Sequence, residues 1–168
     1  AYVFVRTSGV WTQQAKLTAS DAAADDRFGF SVSLSGDTAV IGAEQDDHAG
    51  GTNAGSAYVF VRSGGAWTQQ AKLTALDAVG FDYFGRSVAV SGDTAVIGAY
   101  LNDAGGGDAG AAYVFVRSGG GWGTAWTQQA KLLASDAATY NYFGLSVAVA
   151  GDTAVIGAPF YANAAYVF

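Results

Sequence analysis

The feature that most constrains this chain is a motif that occurs three times. The segment Ala-Tyr-Val-Phe begins at Ala1, Ala57, Ala112 and Ala165. Two longer segments, Trp-Thr-Gln-Gln-Ala-Lys-Leu and Gly-Asp-Thr-Ala-Val-Ile-Gly-Ala, each occur three times at similar intervals. The interval is about 55 residues, which is too long for one helix pair and suits about four short strands.

Residue size within one unit predicts four antiparallel strands. Large and small residues alternate from Phe28 to Leu34, so this strand has one bulky face and one small face. A short turn at 35–37 leads to Thr38–Ala43, which is apolar on both faces, as a strand covered on both sides should be. Two further strands are predicted at 57–62 and 67–73.

One four-stranded sheet cannot cover both of its faces, so neighbouring units are expected to cover each other. We therefore predict an all-β array of propeller-type blades, with repeats at 1–56, 57–111 and 112–164 and a further copy beginning at 165–168. Three blades are fewer than the usual four to eight. The chain is thus expected to belong to a longer array or to join other copies head to tail. Since no Met opens it, we also expect a processed protein or a piece of a longer one.

Composition excludes several classes of function. The net charge is −6, so a nucleic-acid backbone would be repelled. There is no cysteine and only one histidine, which excludes thiolate sites and nearly excludes imidazole zinc sites. The longest charge-free stretch, 153–168, contains Gly157, Pro159 and Asn163 and is too short to span a bilayer as a helix. No membrane span is predicted.

A Phe-Gly pair opens the first strand of each unit, and a Gly-Ala pair closes the second. The pairs are Phe28-Gly29, Phe84-Gly85 and Phe143-Gly144, and Gly42-Ala43, Gly98-Ala99 and Gly157-Ala158. This pattern resembles the FG-GAP repeat of integrin α-subunit-like β-propellers, in its bacterial form, over essentially the whole chain. Only the third copy adds the family's proline, Pro159, whereas Glu44 and Tyr100 depart from the pattern. The resemblance implies an extracellular or cell-surface propeller used in adhesion and ligand binding rather than in catalysis.

Many members of that family hold calcium in the loop between the first two strands, but here that loop is a tight turn with one carboxylate. This falls far short of the oxygen ligands that calcium needs. A second acidic loop follows the second strand, where a solvated loop and a calcium site are the alternatives. We expect no cofactor, with calcium in this second loop as the alternative. The candidate ligands are Glu44, Asp46, Asp47, Asp103 and Asp108.

Polar residues that recur in every unit are expected to serve the fold. The turn aspartates are predicted to hydrogen-bond to their own turns, and a second set, two residues before each Phe-Gly pair, suits Asx turns. The first set is Asp37, Asp93 and Asp152, and the second is Asp26, Asp82 and Asn141.

Basic residues in each outer hairpin are predicted to discourage edge pairing, and the repeated tryptophans to lie in the core. These residues are Arg6, Arg62, Arg117, Lys16, Lys72 and Lys131, and Trp11, Trp67 and Trp126.

Positions that differ between copies are the more informative ones. Just before the Phe-Gly pair, Asp25 and Arg27 of the first copy are replaced by aromatic residues in the second and third. Further aromatic residues occur in loops, where contact with water alone does not favour large apolar rings. Packing between units, contact with another subunit, and a carbohydrate or peptide ligand are the alternatives. The candidate interface or ligand residues are Phe81, Tyr83, Tyr100, Trp122, Tyr140, Tyr142, Phe160 and Tyr161.

Near-identical copies argue against an enzyme, because catalysis needs unlike groups at one place. His48 occurs once, beside no repeated serine, so a catalytic triad is not expected. Two hypotheses remain for the function. The first is an extracellular adhesion or ligand-binding module with a protein or carbohydrate partner. The second is a structural subunit that self-associates head to tail into a ring or filament.

Overall fold

The computed structural model describes residues 1–118 and 125–168. These residues form strands and turns and contain no helix, so the all-β prediction is confirmed. The strands are β1 (Tyr2–Thr7), β2 (Val10–Lys16), β3 (Ser31–Ser35), β4 (Thr38–Ala43), β5 (Ser56–Ser63), β6 (Ala66–Leu73), β7 (Ser87–Ser91), β8 (Thr94–Ala99), β9 (Ala111–Arg117), β10 (Trp126–Leu132), β11 (Ser146–Ala150), β12 (Thr153–Ala158) and β13 (Ala164–Val167).

The strands pair in chain order and are antiparallel throughout. Strands β1 and β2 form an N-terminal hairpin, β3–β6 the first sheet, β7–β10 the second sheet, and β11–β13 the third sheet. The two complete sheets have the predicted four strands. The described sheets follow one another as an open series, consistent with propeller-type blades that do not close into a ring.

The second strand of each sheet is its most buried element where sheets lie on both sides. All six residues of β4 are buried, as the apolar run predicted. In the third sheet the equivalent strand β12 alternates, with Thr153 and Val155 exposed. The difference arises because one face of the third sheet has no described sheet against it.

The first strand begins later than predicted, at Ser31 rather than Phe28. Arg27 and Gly29 have φ of 57° and 93°, so the backbone turns at the Phe-Gly pair instead of extending. Phe28 therefore leaves the strand and packs edge-on against Tyr58 at 5.5 Å between ring centroids. The same contact recurs in the other sheets, from Phe84 to Tyr113 and from Phe143 to Tyr166.

Consecutive sheets cover each other through their first strands. Val88 and Val90 of the second sheet share one buried cluster with Val40 and Val59 of the first sheet. They lie against the small face of β3, where the Ser33 hydroxyl accepts a hydrogen bond from the Val90 amide at 3.0 Å. The predicted alternation of bulky and small faces thus explains how the sheets interlock.

A glycine in β4 permits the close approach at this junction. The Ser31 hydroxyl donates to the Gly85 carbonyl at 2.8 Å, beside Gly42. A Cβ atom on Gly42 would overlap that same Gly85 carbonyl oxygen, so only glycine fits. Gly98 stands in the same relation to Gly144 at the next junction.

The array has two exposed end surfaces of different character. The first end surface presents the bulky side of β3, with Val32 and Leu34 each 63% exposed, beside Tyr2 of the N-terminal hairpin. The second end surface presents the small side of β11, where Ser146 and Ala148 are exposed. The two surfaces correspond to the two sides of an internal junction.

The prediction that all three tryptophans are core residues is wrong for one of them. Trp126 is buried and Trp67 is half-buried, but Trp11 is 65% exposed. The reason is that each tryptophan packs toward the preceding unit: the Trp67 indole donates to Gln14 and the Trp126 indole to Gln70, both at 3.0 Å. Within the described residues, no preceding hairpin lies beside Trp11.

Two of the three turn aspartates bind arginine rather than their own turns, and basic residues of the second and third outer hairpins form ion pairs. Asp37 accepts a hydrogen bond from Arg62 at 2.7 Å, and Asp93 accepts one from Arg117 at 2.6 Å, so these carboxylates bind arginine across their sheet. Lys131 likewise pairs with a carboxylate, that of Asp77. Arg62, Arg117 and Lys131 thus connect turns and links to the sheets, while their effect on edge pairing stays a prediction.

Candidate functional site

Two kinds of loop meet on one face of the array. The links that enter β7 and β11 run beside the loops that leave β4 and β8. The Phe81 amide donates to the Thr52 carbonyl at 2.8 Å, and the Tyr140 amide donates to the Gly107 carbonyl at 2.9 Å. We call the surface formed by these links and loops the loop face. Backbone hydrogen bonds hold it in place, so its side chains are presented from defined positions.

The links contain paired left-handed residues at which the sequence is unusual. Phe81 and Tyr83 have φ of 69° and 55°, and Tyr140 and Tyr142 have φ of 62° and 53°. This region favours glycine, asparagine and aspartate, and the first copy indeed has Asp25 there, at φ 70°. The backbone alone therefore gives no reason for aromatic residues in the second and third copies.

These aromatic residues form a continuous group of rings. Tyr100 lies 5.9 Å from Tyr83 and 5.8 Å from Tyr142, between ring centroids. Tyr142 continues to Phe160 at 5.1 Å and to Tyr140 at 6.3 Å. Tyr140 in turn lies 6.3 Å from Tyr161. We call this group the aromatic platform; its members are Tyr83, Tyr100, Tyr140, Tyr142, Phe160 and Tyr161.

The platform has an inner and an outer part. Tyr83, Tyr100 and Tyr142 are half-buried. The outer rings are exposed, with Tyr161 at 80% and Phe160 at 51%. The inner rings support the outer ones, which stand free to contact a ligand.

Six of the eight sequence-predicted interface residues thus assemble into one surface. Phe81 is also exposed on the same link but lies outside this chain of ring contacts. Trp122 falls between residues 119 and 124 and lies outside the described residues.

A charged group borders the platform, and neither its member Arg86 nor the pairing of its charges was predicted from the sequence. Glu44 is 1% exposed and lies 2.9 Å from an Arg27 nitrogen and 3.1 Å from an Arg86 nitrogen. The Arg86 guanidinium also stacks on Phe30 and Tyr100, at 4.4 and 5.4 Å from their ring centroids. The sequence did carry one signal for this group. Glu44 stands at the repeat position where the second copy has the platform residue Tyr100, so this position varies between copies.

The acidic loop candidates for calcium do not converge. Glu44 is paired with arginine, and Asp46 accepts from Ser56 at 2.7 Å and from Tyr58 at 3.0 Å. Asp47 accepts from a backbone amide of its own loop, and Asp103 does the same in the second copy with the Asp108 amide. Among residues 1–118 and 125–168, no three carboxylate, imidazole or thiolate groups are placed to hold a metal ion.

The two acidic loops differ in how they satisfy a buried tyrosine. The Tyr58 hydroxyl binds Asp46, but the equivalent of Asp46 is Asn102, whose amide turns to Asp82 at 2.9 Å. Among the described residues the buried Tyr113 hydroxyl has no hydrogen-bond partner. Burial, together with the nearby Asp77 carboxylate, raises the pKa of Tyr113 above its ordinary value.

A family model described as the FG-GAP repeat matches residues 11–60, 67–115 and 126–168. The chain belongs to the FG-GAP repeat family. Each matched FG-GAP span begins on the last strand of one sheet or hairpin (β2, β6 or β10). The first two spans end on the third strand of the next sheet, and the third span ends one residue past β13. The repeat unit of the family therefore crosses a junction between sheets and ties neighbouring blades together covalently.

FG-GAP repeats are typical of β-propeller-like domains in extracellular or surface proteins and commonly mediate protein binding. The FG-GAP family is generally non-enzymatic. No curated protein matches this FG-GAP sequence at a significant level. No helix in the described part of the chain is long and apolar enough to cross a bilayer.

Proposed function

We propose that this FG-GAP array is a non-enzymatic extracellular or cell-surface module that adheres to a protein or carbohydrate ligand through its loop face. The observation that carries the proposal is the aromatic platform. Its outer rings are exposed, and two of them, Tyr140 and Tyr161, are presented from left-handed backbone positions that do not favour aromatic residues. Clustered exposed aromatic side chains of this kind mark binding surfaces.

The contrast between constant and variable positions supports a binding role. The strands repeat nearly residue for residue, whereas the loop face changes from charged in the first copy to aromatic in the second and third. The charged side chains around it are engaged with each other, as in the pairing of Glu44 with Arg27 and Arg86. This arrangement suits recognition by shape and ring contact more than proton transfer.

Retention on coated surfaces tests the proposal. Biolayer interferometry would compare the wild-type chain with the double variant Tyr140→Ala/Tyr161→Ala on sensors coated with gelatin or with a neutral polysaccharide. We expect retention on at least one coating and its loss in the double variant. The matched control is Tyr2→Ala/Trp11→Ala, which removes two exposed rings away from the loop face. No retention on either coating, or equal losses in both variants, would refute a loop-face function.

A second candidate function is self-assembly, and the complementarity of the end surfaces favours it. At the internal junctions the hydroxyls of Ser31 and Ser87 donate to the carbonyls of Gly85 and Gly144. Ser146 occupies the corresponding place on the second end surface. Val32 and Leu34 on the first end surface correspond to the buried Val88 and Val90. A second copy could therefore dock in the internal register, which would generate a ring or a filament.

Electron microscopy and analytical ultracentrifugation test this second candidate. Self-assembly predicts rings or fibres from the purified wild-type chain that disappear in Leu34→Asp. Monomers at all concentrations would exclude it and leave the loop-face function untouched, because Leu34 lies outside the platform.

A further inference from the structure

We propose that the aromatic platform binds a neutral polysaccharide, with sugar rings stacked on its exposed outer rings, Tyr140, Phe160 and Tyr161. This rests on the proposed loop-face function and names its ligand class. The occupant is a chain of uncharged pyranose units rather than a folded protein.

The arrangement of the rings suits a linear ligand with repeating units. The inner rings Tyr83, Tyr100 and Tyr142 pack tilted or edge-on against one another, and Tyr142 holds Phe160 at 5.1 Å and Tyr140 at 6.3 Å between ring centroids. The platform crosses from the second sheet to the third, since Tyr83 precedes β7 and Phe160 follows β12. Contacts that are individually weak become effective when one polymer engages several of them at once. Several like rings held at fixed positions suit a ligand of repeating units better than a folded protein surface.

The chemistry of the platform matches a sugar in kind. A pyranose has an apolar C–H face and a rim of hydroxyl groups, and tyrosine combines an apolar ring face with one polar group. Exposed neutral hydrogen-bonding groups, those of Thr139 and Asn163, lie on the same two segments.

The charge distribution selects a neutral polysaccharide over an acidic one. Residues 137–145 and 159–163, which carry the outer rings, contain no Asp, Glu, Lys, Arg or His. The cation beside the platform, Arg86, is paired with the buried Glu44. The chain carries a net charge of −6, which repels polyanions.

Saturation-transfer NMR on the full chain tests the proposal. The probes are soluble hexasaccharides of glucose, of mannose and of N-acetylglucosamine. Saturating the aromatic protons should transfer magnetisation to the C–H protons of at least one probe. Tyr161→Ala and Phe160→Ala should each weaken binding by roughly three- to tenfold, the contribution of one ring contact. Both side chains are largely exposed, so these variants are expected to keep the wild-type melting temperature.

Two controls separate this inference from the proposed function. Tyr2→Ala removes an exposed ring from the first end surface and should leave sugar binding unchanged, whereas Tyr161→Phe keeps the ring and should bind within about twofold of wild type. The inference is overturned if no magnetisation is transferred to any of the three probes. It is also overturned if Tyr161→Ala and Phe160→Ala bind the probe as tightly as the wild type. Retention on gelatin that depends on Tyr140 and Tyr161, without sugar binding, would make the ligand a protein and leave the loop-face function standing.

Discussion

The guanidinium of Arg86 and the carboxylate of Glu44 meet at 3.1 Å across the junction between the first and second sheets. Glu44 follows β4 in the first sheet, and Arg86 precedes β7 in the second. Arg27 binds the same carboxylate from the link that enters β3. Because Glu44 is almost fully buried, one acidic side chain fastens two links and borders the aromatic platform.

Replacing Glu44 by glutamine is therefore expected to destabilise the fold. The change leaves two guanidinium groups beside a neutral amide, and their partial exposure lets them turn to solvent, so we expect a loss of about 1–3 kcal/mol in the free energy of unfolding. Urea denaturation measures it. Asp47→Asn, at an exposed carboxylate three residues away, is the control and should lie within about 0.5 kcal/mol of wild type. Equal effects would show that the Arg86–Glu44 contact adds no stability.

The two buried tyrosines are expected to respond oppositely to loss of their hydroxyl groups. Tyr58→Phe removes a hydrogen bond to Asp46 and should cost about 1 kcal/mol. Tyr113→Phe removes a buried hydroxyl that has no hydrogen-bond partner within residues 1–118 and 125–168, so this substitution should be neutral or stabilising. Denaturant titration measures the free energy of unfolding of both variants, and each variant is the control for the other. A destabilising Tyr113→Phe would mean that its hydroxyl is satisfied.

Gly42 is expected to tolerate no side chain. Gly42→Ala places a methyl group on the Gly85 carbonyl oxygen, and relieving that overlap requires the first and second sheets to separate. We expect a loss of about 3 kcal/mol or more, observed as a lower melting temperature. Gly36→Asn is the control, because Gly36 has open space around it and a φ of 57° that asparagine accepts. If Gly42→Ala and Gly36→Asn have the same melting temperature, the close approach of the Gly85 carbonyl to Gly42 does not limit stability.

Acidic pH is expected to weaken the ion pair between Lys131 of β10 and Asp77 of the link that enters β7. Burial is the largest single influence on Asp77 and acts to raise its pKa, but hydrogen bonding and the charge of Lys131 together outweigh burial and hold the pKa below the ordinary 3.8. A lowered pKa in the folded state means that the stabilisation is present above about pH 4 and is lost as pH falls through the folded value. The melting temperature should therefore drop between about pH 4 and pH 2, and it should drop less in Lys131→Gln. Lys16→Gln, at a lysine that lies over Tyr2, is the control and should keep the wild-type profile. Identical acid profiles for Lys131→Gln and wild type would exclude this pair as the cause.

The strands could be predicted because their signals are local. The β-branched run at Thr38–Ala43 and the alternation from Ser31 to Leu34 are properties of neighbouring residues, and both appear in the structure. Phe28 was misplaced because its partner, Tyr58, is thirty residues away in sequence. Its size suggested a continuing strand, whereas the left-handed backbone on either side turns it into the core of its own sheet.

The aromatic platform could be predicted in part, because the variable columns identified its members. Which rings touch was not predictable, since the platform combines residues from two sheets, such as Tyr100 and Tyr142. Arg86 was missed for the same reason. It follows an ordinary Phe-Gly pair, and only the packing of the second sheet on the first brings it to Glu44 and Phe30.

The loop face keeps its shape only if consecutive sheets bury each other's apolar faces. One pair of variants tests this packing most directly. Val90 and Leu34 occupy the same position in successive copies, but Val90 is 7% exposed at a junction whereas Leu34 is 63% exposed at the first end surface. The measurement is the free energy of unfolding of Val90→Asp and Leu34→Asp. We predict that Val90→Asp loses at least about 3 kcal/mol or fails to fold, while Leu34→Asp stays within about 0.5 kcal/mol of wild type. Equal losses at the two positions, or a harmless Val90→Asp, would contradict the account.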